Sequence, residues 1–298
     1  MLSVGVISSG DLADSAADRL RRHGIDVHVD QAMPVALEVA VAEPGGAVTD
    51  SADVVLTAHD VDAAAEAADE LYRVRLAPWV QALASDRPDV TAPPHLVDHD
   101  PTWAATADRR GRALRTALTA LDRTERLGLR RVDHIGSTAV PGLAAKPFLD
   151  LQVTLDRLPD PARLASALAP LGWAPAVGAR PDSPGVHRDM RGDDDAAPDE
   201  AFAKRLLVAP DPLRPAILHV RLTASPFARR VVRFRDRLRA DAQLRRSYSE
   251  IKTRAAAAHA DAADYDDYTR DKSSWLSDAY RQVDVWAGGA DDPWPHDR

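Results

Sequence analysis

The chain opens on an apolar run, LSVGVIS at residues 2–8, that predicts a β-strand; apolar positions then recur at helical spacing from Asp11 to Arg22. Gly24 is expected to end that helix, because glycine takes the left-handed conformation beyond a last turn without steric cost. Short apolar runs at 25–29 and 52–56 predict two more strands, and a helix is expected over 61–83 with Leu71, Val74, Leu76 and Val80 buried. Strands alternating with helices predict a small parallel α/β unit. From Ser85 to Pro101 the pattern stops: SDRPDVTAPPHLVDHDP holds four prolines and no helical period. A boundary is expected there, with a first unit over 1–84, a linker over 85–100, a second unit over 101–287 and a flexible tail over 288–298.

In the second unit, leucines at 114, 118 and 121 lie on one face of a helix expected from Trp103 to about Arg126. Strands are expected at 130–135, 148–154, 186–190, 202–208 and 216–222, and helices at 160–170, 226–239, 241–259 and 265–286. Stretches rich in Gly, Pro and Asp at 178–185 and 192–199 read as loops, the second of them mobile.

With 45% hydrophobic and 28% charged residues and a mean hydropathy of -0.31, the composition is that of a soluble globular chain of two units. Cysteine is absent, which excludes disulfides, thiolate catalysis and Cys-based zinc sites, and suits a cytoplasmic setting. No apolar run is long enough to span a bilayer, so no membrane association is expected. The net charge of -8 argues against nucleic acid as a partner. Arginines cluster between Arg221 and Arg254, either as a solvated helix face or as a surface that meets phosphate.

Near the N-terminus, Gly5-Val-Ile-Ser-Ser-Gly-Asp-Leu-Ala-Asp-Ser15 has the strand–loop–helix setting of a phosphate-binding loop. It resembles the opening of dephospho-CoA kinases, with Ser8 and Ala13 in place of loop glycines and Asp14 in place of the lysine; Ser15 keeps its type. An aspartate where a cation should meet triphosphate reverses the sign of the interaction. The stretches 29–46 and 52–79 extend the resemblance, while the kinase's lid and most of its substrate contacts have no counterpart. A degenerate, truncated remnant of a P-loop kinase fold is therefore expected, without kinase activity; an unrelated α/β unit is the other reading.

The most specific motif is VDHIGSTAVPGLAAKPFLDLQVTL at 132–155. A strand ends at a Gly136-Ser137 turn, and a loop leads to a second strand bearing Asp150. Amides around Ser137 and Thr138 are placed to hold a phosphate, and Asp150 to ligate magnesium. Together with KRLLV (204–208), LHVRLTASP (218–226), FRDRLR (234–239) and the tail through DYTRDKSSWL, this resembles the GrpB family from about Val97 to about Arg281. That likeness implies an α+β nucleotidyltransferase-like fold with a mixed sheet and a helical tail. In the superfamily's signature two acids are separated by one residue on that strand, and here the second place holds Gln152. A third acid is expected on a later strand, which offers His219 and Arg221 instead.

The expected site comprises Asp150 and His219 as catalytic residues, with Asp150 the magnesium ligand. Gly136, Ser137, Thr138, Lys146, Lys204, Arg221, Lys252 and Lys272 are expected to bind phosphate. Blander roles stay open: turn-bracing for His134, capping for Asp150, solvated helix lysines for Lys252 and Lys272, and packing for Trp103 and Trp275. The expected partner is a nucleotide or phosphorylated small molecule, with possible Mg-dependent nucleotidyltransferase-like chemistry. The alternative is a non-catalytic folding or accessory module, left from a kinase fusion and binding a protein partner.

Overall fold

The computed structural model describes residues 1–286 except 8–9, 31–32, 47–51, 89–92, 179, 181, 184 and 193–194. The first unit is β1 (Ser3–Val6), α1 (Asp11–Arg22), β2 (Asp26–Val29), β3 (Leu37–Ala42), β4 (Val54–Thr57), α2 (Val61–Leu71) and α3 (Ala77–Leu83). Its sheet is fully parallel, in the order β2-β1-β3-β4. Strand β3 went unread because LEVAVA lay inside a stretch matched to the kinase. It sits in the middle of the sheet with Val39 fully buried.

A π-helical turn over Tyr72–Leu76 joins α2 to α3. It accounts for a misread face. Leu71 and Leu76 are buried as expected, but Val74 and Val80 are exposed, and Arg75 and Trp79 point inward in their place. A wider turn holds residues four apart, Leu71, Arg75 and Trp79, on one stripe.

The second unit follows as α4 (Thr102–Glu125), β5 (Leu129–Ile135), β6 (Leu149–Leu155), α5 (Pro161–Leu168), β7 (Ala174–Pro175), β8 (Lys204–Ala209), β9 (Ala216–Leu222), α6 (Pro226–Ala240), α7 (Ala242–Ala258), α8 (Asp266–Asp271) and α9 (Ser273–Trp286). Its mixed sheet runs β5-β6-β9-β8-β7, with β6 and β9 parallel and the other pairs antiparallel. The strand expected at 186–190 reduces to one bridge, Arg188 to Ala203. The single helix expected over 265–286 is broken at Lys272. The expected tail at 288–298 lies outside the described residues.

Strand alternation divides this sheet between two tasks. Leu149, Leu151, Val153 and Leu155 of β6, with Leu218 and Val220 of β9, face α4 and α5 in the core. Asp150, Gln152 and Thr154 face the other way, beside His219 and Arg221 in register on β9. Helices α6 to α9 close over that second face. The main core is continuous through both units, from Leu2 and Val39 to Leu114 and Val220.

The units are also joined by buried polar contacts. Arg75 donates from Nε (2.9 Å) and Nη2 (2.7 Å) to the fully buried Asp211, and Arg110 Nη2 donates to the same carboxylate at 2.8 Å. Trp79 Nε1 donates to the Gly172 carbonyl at 3.3 Å. Gly172 (φ 73°) must be glycine, since a Cβ there would meet the Trp79 ring at 2.4 Å.

Candidate functional site

Between the polar face of the second sheet and helices α7 to α9 lies a cavity of about 290 Å³. Of the expected site residues, Gly136, Ser137, Thr138, Lys146, Asp150, Lys204, His219, Arg221 and Lys272 all line it. Lys252 does not. It is 1% exposed and its Nζ donates to the Ala144 carbonyl beneath the loop that carries Lys146. This replaces both earlier readings of Lys252: it is neither solvated nor cavity-facing.

The Gly136 turn is shaped by Asp150. Gly136 has φ 70°, and a Cβ there would lie 2.3 Å from Asp150 Oδ2, so any side chain would collide with the carboxylate. After the turn, His134 Nε2 and Thr138 Oγ1 pair at 3.0 Å, and Ser137 shares a hydrogen bond with the Tyr248 hydroxyl. Burial, with Arg239 and Arg235 near, brings His134 down to about 4. A neutral imidazole bracing its own turn is the role the geometry gives it. Burial likewise pushes the Asp150 carboxyl up to about 6, although Lys146, Lys272, Arg221 and Lys204 all pull it down.

Asp189 is the residue that sequence reasoning missed. It sits in the stretch misread as a strand and is 5% exposed. Arg221 reaches it with two parallel hydrogen bonds, Nε to Oδ2 at 2.7 Å and Nη2 to Oδ1 at 2.9 Å, and Lys204 Nζ adds a third at 2.8 Å. Burial alone would raise the Asp189 carboxyl; Arg221 and Lys204 hold it below its ordinary value. The two cations expected to bind phosphate are therefore paired to a carboxylate of the protein itself. No spacing in the sequence announces Asp189, because its loop partners β8 and β9 only through side chains and one bridge.

Both ends of the Gln152 amide are engaged. Its Oε1 accepts from Arg221 Nη1 at 2.8 Å and its Nε2 donates to the Ala228 carbonyl at 3.1 Å. Where the superfamily signature has a second metal-binding acid, this chain has an amide holding a guanidinium. His219 Nδ1 faces two groups that only donate, Lys204 Nζ at 3.3 Å and Arg221 Nη2 at 3.2 Å. Nδ1 must therefore be the acceptor, which puts the ring proton on Nε2, 3.6 Å from Asp150 Oδ1. Burial and these cations hold His219 well below its ordinary value, so it is a neutral donor rather than a base.

For magnesium the protein itself offers one carboxylate: among the described residues no group of three His, Asp or Glu side chains converges, and Asp150 is surrounded by Lys146, Lys272, Arg221 and Lys204.

Lys146 and Lys272 have no carboxylate partner among the described residues. Lys146 Nζ lies 3.5 Å from the ring centre of Tyr265, and Lys272 Nζ 3.7 Å from that of Tyr268. Tyr248 and Tyr280 complete an aromatic wall, so four of the chain's five tyrosines line the cavity. In the first unit Asp14 is exposed at the start of α1, and Ser15 Oγ donates to the Val61 carbonyl at 2.7 Å, so the one residue that matches the expected phosphate loop in type has a structural partner. Ser8 lies outside the described residues. None of the described helices is long and apolar enough to cross a membrane.

Residues 93–282 match the family model described as GrpB protein. A dephospho-CoA kinase of Mycolicibacterium paratuberculosis is 34% identical over 227 residues, which is 74% of this chain and 53% of that protein. A UPF0157 protein of Streptomyces coelicolor is 33% identical over 158 residues, 53% of this chain and 67% of its own length. The crystal structure of conserved protein GrpB from Enterococcus faecalis aligns with a TM-score of 0.45 at 21% identity, covering 64% of this chain and 99% of that one. The chain spans about half the length of the kinases it matches, 53% in the case above. With its second unit matched almost end to end and its first similar to dephospho-CoA kinases, the chain belongs to the GrpB family.

Proposed function

We propose that the cavity binds a phosphorylated small molecule, nucleotides included, without a metal ion. The observation that carries this is the pair Lys146 and Lys272, two cavity-facing amines with aromatic neighbours and no carboxylate partner among the described residues. An anion supplies the partner that Lys146 lacks and favours its protonated form, while Lys272, held further below its ordinary value by burial and by Lys146, remains a neutral amine beside it. One hydroxyl of the hydrogen-bonded Ser137–Tyr248 pair and the His219 Nε2–H add neutral donors to the same wall. Nucleotidyl transfer through two metals is not part of this reading, because Gln152 is bound to Arg221.

The test is thermal unfolding of the full chain against phosphate, pyrophosphate, nucleotides and CoA precursors, with magnesium or with EDTA. A ligand at a hundred times its Kd adds about 2.7 kcal/mol. The expected result is a shift that survives EDTA and is lost in Lys146→Met. A shift that needs magnesium would overturn the metal-free reading.

A second reading has its own support: the buried Arg75–Asp211 contact docks the kinase-like unit onto the GrpB unit. It makes the chain an accessory module that stabilises a kinase-like partner. Silence across the whole ligand panel favours it.

A further inference from the structure

The chain contains four lysines among its 38 Lys and Arg residues, and all four lie at or just behind the cavity. Wherever a surface cation is needed, the chain uses arginine. A guanidinium keeps its proton under all ordinary conditions, whereas a buried ammonium can give its proton up. Lys204 is committed to Asp189 and Lys252 to the Ala144 carbonyl. Lys272 has neither kind of partner among the described residues; it is 9% exposed, at the break between α8 and α9, with its Nζ on the Tyr268 ring. Burial, then Lys146 and Lys252, push its pKa far below the ordinary lysine value. A desolvated amine beside a second cation, free of any ion pair and facing a cavity, is the setting of a nucleophilic lysine.

We propose that Lys272 is a nucleophile that forms an imine with a small aldehyde or ketone carrying an anionic group, held by Lys146. This deepens the proposed function and rests on its anion site. The Nζ lone pair adds to the carbonyl carbon as the C=O π pair moves to oxygen, and one proton passes from nitrogen to that oxygen. The new hydroxyl leaves as water with a proton from the Asp150 carboxyl. The nitrogen lone pair closes the C=N bond, and the second nitrogen proton returns to Asp150. No oxidant or further reactant is needed.

The full chain is incubated with pyridoxal 5′-phosphate, or with unphosphorylated pyridoxal, then reduced with borohydride, and the modified peptide is located by mass spectrometry. The only amines are the four lysines and the N-terminus. The expected result is a reduced adduct at Lys272, on the order of tenfold above the N-terminal amine. Phosphate should suppress labelling by the phosphorylated aldehyde. No adduct, or an adduct on Lys252 or the N-terminus with Lys272 unmodified, overturns the proposal. If phosphate raises the melting temperature while Lys272 stays unlabelled, the nucleophile falls and the anion site stands. If both aldehydes label Lys272 equally and phosphate does not compete, the nucleophile stands and the anion site falls.

Discussion

At the residue scale the site is a distribution of charge in a space with little water. Asp189 pairs with both Arg221 and Lys204 and offsets one of their two charges, and Asp150 is left as the free carboxyl of the cavity among the described residues. Its pKa, raised from 3.8 to about 6, has a defined consequence for stability. The folded state holds this proton more tightly than the unfolded chain, so the contribution is fully present below about pH 4 and lost as pH rises through about 6. Asp150→Asn, which cannot ionise, should therefore be more stable to urea than the wild type at pH 8, by about 3 kcal/mol, and show no such gain at pH 4. An identical pH slope in both proteins would show that the carboxyl is not held up by its surroundings. Gly136, Ser137, Lys146, Asp150 and Lys272 were legible in the sequence because a turn, a strand and a family motif carry them. Asp189 was not, because a buried ion pair between a loop and a strand leaves no period to read.

At the scale of elements, periodicity found the long helices and the strands with strict alternation. It failed where an element departs from its ideal repeat. The π-turn at Tyr72–Leu76 shifts the buried face by one position, so Val74 and Val80 look outward and Arg75 and Trp79 inward. Val80→Asn is accordingly expected to change stability by less than about 0.5 kcal/mol, and Trp79→Ala to cost about 3–5 kcal/mol, both read from chemical denaturation. Equal costs at the two positions would return the helix to an unbroken α-repeat. The second departure is the break at Lys272: continuous helical spacing over 265–286 conceals it, yet it places the amine over Tyr268.

For the whole molecule, the decisive contact is Asp211, fully buried between Arg75 of the first unit and Arg110 of the second. Burial alone would raise its pKa, but Arg75 and Arg110 hold it below the ordinary carboxylate value. Asp211→Ala leaves two guanidinium groups buried without a carboxylate, at a cost of about 3–5 kcal/mol. The wild type should unfold in one transition, and the variant should release the first unit earlier, seen as faster amide exchange in β1 to β4 with β6 and β9 still protected. Simultaneous loss of protection in both sheets would mean that the shared apolar core alone couples them. The joint itself bears on how such a chain changes over generations. The first unit supplies half of a buried ion pair and one wall of the common core. Substitutions in it should therefore be filtered by burial: exposed positions such as Asp14 should drift freely, while Arg75, Trp79 and Val39 should hold.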